Sequence, residues 1–246
     1  MMMRRRLLPL VALPFLPASA HAAALRVLSA GAVEPGLAPA VAGFGDAPVV
    51  IEYATAPELR ARILAGARPD LLVAPIALIE EFAAAAGRLR GVPLLLGRVG
   101  IGVVVRPGAP VPDIADAASL RRAVEAAETV VFNRASTGQA MDRLFAAWGI
   151  TDAVTLRAVR FATGAEVLAR VLAGQGAEIG FAAITEIHMV PGLRYLGPVP
   201  AEVQNYTTYG AALTPQSPPE AAALLRHLDS AATRAVLNAA GIEPAR

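Results

Sequence analysis

Cysteine and lysine are both absent from this 246-residue sequence. Without Cys there is no disulfide, no thiol nucleophile, no Fe–S cluster and no Cys-ligated zinc. Without Lys there is no Schiff-base chemistry and no P-loop lysine. Histidine occurs only at His21, His188 and His227, a spacing that offers no multi-His metal site. Long uncharged apolar runs are also missing. The longest, residues 71–86, is interrupted by Glu80 and Glu81. None reaches the ~18 residues that a transmembrane helix needs, so none is expected. What is abundant is apolar character: 55% of residues are hydrophobic and 17% charged. That composition excludes disorder and supports one large domain or two smaller ones.

The N-terminus carries its own signal. Arg4, Arg5 and Arg6 precede an apolar stretch, residues 7–16, and then the small-residue series Ala18, Ser19, Ala20, His21, Ala22. A positive segment, a short apolar segment and an A-x-A site read as a cleaved secretory signal peptide over residues 1–22. Pro9 and Pro14 break the stretch, which is too short to span a bilayer. Cleavage removes three Arg and turns 22 basic against 20 acidic residues into 19 against 20. A near-neutral mature chain argues against nucleic acid as a partner.

Along the rest of the chain, short β-rich runs alternate with Ala/Leu/Arg helical patterns. Strands are expected at 25–28, 49–53, 70–73, 99–105, 129–132, 155–161 and 178–181. Helices are expected at 58–65, 76–86, 119–126, 139–148, 166–173 and 218–240. The alternation predicts an α/β fold with mainly parallel sheets. A repeat sharpens it. The segment from Tyr53 to Gly66 aligns without a gap on Phe161 to Gly174, an offset of 108 residues. Each copy reads strand, turn, helix, turn, so two similar α/β lobes are expected.

Both copies carry Thr-x-x-Glu before the helix, Thr55/Glu58 and Thr163/Glu166, and Ser136/Gln139 repeats the spacing. Each is a capping-box signature, which by itself accounts for Glu58, Glu166 and Gln139. Such turns also lie where open α/β sheets bind ligands, at the carboxyl ends of strands. Helix N-termini there present free N–H groups and a positive dipole end, suited to an anion. Four turns are candidates: residues 29–33, 55–57, 133–138 and 163–165.

The ordered set of segments resembles the periplasmic solute-binding proteins of ABC importers, of the molybdate-binding-protein-like type. The segment Val27-Leu28-Ser29-Ala30-Gly31-Ala32-Val33 resembles that family's first strand and ligand turn. Residues 53–63 resemble its second turn and helix. Residues 67–74, Ala-Arg-Pro-Asp-Leu-Leu-Val-Ala, resemble its next strand, and Val105-Arg106-Pro107-Gly108 resembles the motif trailing its crossing strand. Gly180-Phe181-Ala182-Ala183 and the tail, residues 218–242, complete the match. The resemblance implies two lobes joined by two crossing strands near 99–105 and 205–213. Lobe 1 would be discontinuous, 23–102 with 207–246, and lobe 2 would be 103–206.

The resemblance places ligand contacts at Ala32, Thr55 and Ala165, and the four candidate turns add Val33, Asn133, Ser136, Thr137, Gly138 and Gly164. It also marks departures. Ala32 stands where the family has a Ser, and Ala183 where it has a Tyr that closes the molybdate site. Two donors are lost and the pocket enlarges, so the expected ligand is an anion other than or larger than molybdate. Arg134 is a further candidate for gripping a carboxylate or oxyanion; a solvated loop Arg is the other reading. Asp113 and Asp116 read as turn and cap residues, Trp148 as core. Tyr206 and Tyr209 read either as cleft walls or as packing.

The expectation is a secreted, periplasmic, monomeric binding protein that delivers a small anion to an inner-membrane ABC permease, with no cofactor, no metal, no catalysis and no membrane insertion. A sensor or scaffold of the same fold remains a rival, as does an enzyme on it, for which no nucleophile motif or His/acid set speaks.

Overall fold

The computed structural model describes residues 23–85 and 87–245; the expected signal peptide lies outside them. The chain begins with Leu25–Ala30 (β1), a 3-10 turn at Gly31–Val33, Glu34–Ala42 (α1), Val49–Ala54 (β2), Ala56–Leu64 (α2), Leu71–Pro75 (β3), Ile76–Ala84 (α3) and Arg90–Val99 (β4). Next come Ile101–Val105 (β5), Ala117–Ala126 (α4), Thr129–Asn133 (β6), Ser136–Ala147 (α5), Thr151–Thr155 (α6), Ala158–Phe161 (β7), Gly164–Ala173 (α7), Glu178–Ala183 (β8), Ile184–His188 (α8) and Arg194–Pro198 (β9). Thr207–Leu213 (β10), Pro219–Leu228 (α9) and Ala231–Ala239 (α10) close the chain.

Two five-stranded sheets result, ordered β2-β1-β3-β10-β4 and β7-β6-β8-β5-β9. They share one plan. Three parallel strands linked through helices form one side of each sheet, and two antiparallel strands extend it. The sheets are therefore mixed, and the repeated segments occupy equivalent edges, β2–α2 in one and β7–α7 in the other. Each sheet has a core of its own. Leu37, Leu59, Leu72, Ile79 and Phe82 are sealed in the first. Phe145 packs edge-on to Phe132 and Phe181 in the second, at ring-centroid distances of 5.7 and 6.1 Å.

The chain changes sheet at Gly100, between β4 and β5, and again between β9 and β10. Ile101 and Gly102 pair with Ala183 and Ala182 in the second sheet. Gln204 ties the two passages together. Its Oε1 accepts from the Ile101 amide at 2.9 Å, and its Nε2 donates to Ile101 O at 2.9 Å and Val199 O at 3.2 Å. Beside it, the Arg98 guanidinium stacks 3.9 Å over the Tyr206 ring and pairs with Glu243 at 2.9 Å.

Several elements differ from the sequence expectation for local reasons. Residues 218–240 form two helices, because Ser230 starts α10 by accepting from the Thr233 amide. Residues 155–161 divide between the end of α6 and β7. Helix α1 went unforeseen because it carries Pro35 in its first turn and Pro39 inside. Pro in the first turn costs no helical hydrogen bond, since those amides have no intrahelical acceptor.

Candidate functional site

The carboxyl ends of the parallel strands of both sheets face one another across a cleft of about 250 Å³. The lobe carrying the first sheet contributes the turn after β1, the start of α2, Pro75 and Tyr209. The other contributes the starts of α5 and α7 and Glu186 of α8. Of the residues expected there from sequence, Ala32, Thr55, Asn133, Ser136, Thr137, Gly164 and Ala165 line this cleft.

Capping chemistry decides which amides face it. In α7 the expected capping box forms: the Glu166 amide donates to Thr163 Oγ1 at 3.2 Å, and the Thr163 amide to Glu166 Oε2 at 2.9 Å. The backbone bond holds the Glu166 carboxyl below its ordinary pKa. The amides of Gly164 and Ala165, in the first helical turn, then have no intrahelical acceptor. In α5 the expected Ser136/Gln139 box does not form. Ala135 is the N-cap, and Asn133 Oδ1 takes the amides of Ala135 at 3.0 Å and Gly138 at 2.9 Å. Asn133 thus builds the turn, the Gly138 amide is spent, and those of Ser136 and Thr137 remain. Gly138 must be glycine here, because a Cβ would overlap Asn133 O. In α2, Thr55 is the N-cap yet makes no side-chain cap bond, and Glu58 turns away to Arg62. Helix geometry leaves the Ala56 and Glu58 amides without acceptors, Pro57 having none to offer.

Three sequence candidates fall outside the lining. Val33 is sealed in the first core. Gly138 is bonded as described. Arg134 is turned to the outer edge of its sheet, where its amide donates to Phe161 O at 2.9 Å and its Nη1 to Arg160 O at 3.0 Å. Both acceptors lie on β7, so the edge strand takes both donors. Arg134 lines a separate hollow with Asp142 and Arg160. Asp116 N-caps α4, accepting from the Ser119 amide at 2.7 Å, and Asp113 accepts from Ala115 at 3.0 Å. Tyr209 is buried and lines the cleft, while Tyr206 belongs to the Arg98 stack.

Sequence reasoning missed the acids Glu34 and Glu186 and the phenol Tyr53 of the cleft, while Tyr209 takes the wall position that was one of its two readings. Glu186 is the most perturbed carboxyl. It opens onto the cleft and is half-buried, and desolvation raises it to about 7, with a bond from the Ala183 amide opposing and Glu34 adding repulsion. A Cβ on Gly164 would overlap Glu186 Oε2, and one on Gly31 would lie 3.8 Å from Oε1. The carboxyl therefore sits between the two lobes, over the start of α7. Its neighbour Thr185 fixes it there by donating to Ala32 O at 2.6 Å across the lobes. Burial also pushes Tyr53 up to about 12 and raises Tyr209. The Tyr53 hydroxyl is buried without a partner. Among the described residues no Arg lines the cleft, and no three His, Asp or Glu side chains gather to hold a metal ion. One faint signal pointed to Glu186: the 108-residue offset sets it against Leu78, an acid in one copy where the other is apolar.

Two like-built α/β lobes, two chain crossings and a cleft rimmed by helix N-termini define the class: a two-lobed ligand-binding protein of the periplasmic type. Residues 25–243 match the family model described as bacterial extracellular solute-binding protein, and the chain belongs to that family. The periplasmic molybdate-binding protein of Azotobacter vinelandii has a similar fold, with a TM-score of 0.73 at 19% identity over 90% of this chain and 100% of that one. The sulfate-binding protein of Mycobacterium tuberculosis superposes with a TM-score of 0.67 at 15% identity, over 90% and 86% of the two chains. In sequence, the chain is 31% identical over 151 residues to an aconitate isomerase of a Pseudomonas species. That match spans 61% of this chain and 57% of the relative.

Proposed function

We propose that this protein captures a small anion, an organic acid or an oxyanion, in the interlobe cleft and presents it to an ABC permease from the periplasm. The observation that carries this reading is the set of amides that the caps of α2, α5 and α7 leave unbonded around one cleft. Such amides, with positive helix ends behind them, hold an anion without a metal or a basic side chain. The hydroxyls of Thr55, Ser136 and Thr137 add donors. A cavity of about 250 Å³ is smaller than the ~300–1,000 Å³ usual for drug-sized ligands, which suits a small acid. Ala32 and Ala183 in place of donors, and acids in the cleft, weigh against molybdate. The test is a thermal-shift and calorimetric screen with molybdate, sulfate, fumarate and aconitate. Stabilisation by at least one, rising with concentration as mass action requires, supports the reading; inertness to all four refutes it.

One observation favours a second reading, an isomerase on the same scaffold. Glu186 has the raised pKa that proton transfer at neutral pH calls for, and the sequence relative named above is an isomerase. Aconitate incubated with the protein in deuterated buffer and followed by NMR decides it. Deuterium entering a carbon position, or one isomer giving way to the other, establishes catalysis; binding without either leaves a binding protein.

A further inference from the structure

Glu186 stands in a cleft where burial and a second acid oppose its ionised form and no cation among the described residues balances them. The cleft it shares with the proposed anion holds a second acid, Glu34, at the start of α1. From β2 and β10 the phenols Tyr53 and Tyr209 share the cleft with it, and the N-terminus of α7, with Gly164 against its oxygens, favours its charge but is shared with the bound anion. Glu58 also lines the cleft but is paired with Arg62. On its own helix, His188 is exposed and packs on Tyr195, away from the cleft. No cation among the described residues lines the cleft to neutralise Glu186. An anion bound beside it would face two like charges in a desolvated space, where their repulsion is strong.

A carboxylic acid resolves the conflict. Protonated, the carboxyl has an O–H to donate; ionised, it can only accept. We infer that Glu186 is the ligand-reading group of the cleft, donating a hydrogen bond from its protonated carboxyl to the bound anion, so that each anion enters with one proton. The inference rests on the anion reading above and adds the ligand's class: a fully ionised small carboxylate or oxyanion that accepts at this point, in preference to an ammonium group, which can only donate. No bond other than the O–H changes. The proton comes from solvent and leaves with the ligand. Gly164 gives the carboxyl room beside α7, and the Thr185 bond to Ala32 O holds its helix in place.

The test uses sulfate, molybdate and fumarate, which stay fully ionised from pH 6 to 9, so that any proton taken up belongs to the protein. Calorimetry in two buffers of different ionisation enthalpy counts protons directly. Expected is uptake approaching one proton per bound anion above pH 7, with affinity falling toward tenfold per pH unit. Glu186→Gln keeps an N–H donor and cannot ionise. It should bind with pH-independent affinity and exceed the wild type at pH 9. Binding without proton uptake, or a Gln variant with the wild-type pH profile, overturns the role of Glu186 and leaves the anion reading standing. Failure of all three anions to bind at any pH overturns the inference; if aconitate also fails, the anion reading falls with it.

Discussion

The Glu186 carboxyl fills the space that a side chain at position 164 would need: a Cβ on Gly164 would overlap Oε2 and lie 2.7 Å from Cδ. Gly164 is therefore glycine because of an acid on another helix, not because of its own backbone. Gly164→Ala should favour the helix by its propensity but push the far end of the flexible Glu186 side chain out of place, for a net loss below the ~1–3 kcal/mol of overpacking a rigid core. In the double variant with Glu186→Ala, most of that loss should disappear. Additive effects in denaturation experiments would show that the two residues do not compete for the space.

Glu186 also sets a pH dependence of stability. Its carboxyl holds a proton up to about pH 7 in the fold, against an ordinary value of 4.5. Folding thus takes up a proton between these limits, and stability falls as pH rises through that window. The loss from pH 4.5 to 8 should approach about 3 kcal/mol. Glu186→Gln should lack that slope and be the more stable protein at pH 8. Glu166, Asp113 and Asp116 have lowered values, so their contributions fade only at more acidic pH. Parallel pH profiles for wild type and variant in urea denaturation would contradict the assignment.

The hydroxyls of Thr163 and Thr55 should separate by role. Thr163 makes its capping bonds, so Thr163→Ala should cost about 0.5–2 kcal/mol of stability. Thr55 makes none. Thr55→Ala should leave stability nearly unchanged and weaken anion binding by about 0.5–1.5 kcal/mol. Denaturation and calorimetry on the pair of variants check both halves; a stability loss at Thr55 equal to that at Thr163 would place Thr55 among the caps.

Arg134→Ala should leave anion affinity unchanged. Its guanidinium is bonded to Arg160 O on the outer edge strand, and the stability change should stay within about 0.5 kcal/mol. A tenfold loss of affinity would bring the side chain back to the cleft.

The repeat made the architecture legible. Thr163/Glu166 and Thr55/Glu58 share a spacing, and both mark the start of a helix at equivalent sheet edges. The same spacing misled about chemistry, since only one of the three signatures closes a capping box. Asn133, two residues before the N-cap Ala135, took over the cap of α5, an arrangement that the S-x-x-Q spacing concealed. Arg134 could be read as an anion grip or as a solvated loop Arg because sequence gives position along a strand but not direction at its end. Glu186 was hidden for a different reason. It lies in Ile184–His188, a one-turn helix without a motif, and only the fold brings it against Gly31 and Gly164 from distant parts of the chain.

The most direct measurement is a calorimetric titration of the wild type and of the Thr55→Ala/Ser136→Ala double variant with molybdate, sulfate, fumarate and aconitate at pH 6, where Glu186 retains its proton. The expected result is saturable one-to-one binding of at least one anion, molybdate not the tightest, and at least a tenfold loss of affinity in the double variant. Binding that the double variant retains in full would remove the two hydroxyls from the site and leave the amides alone to hold the anion; binding by none of the four would contradict an anion site in this cleft.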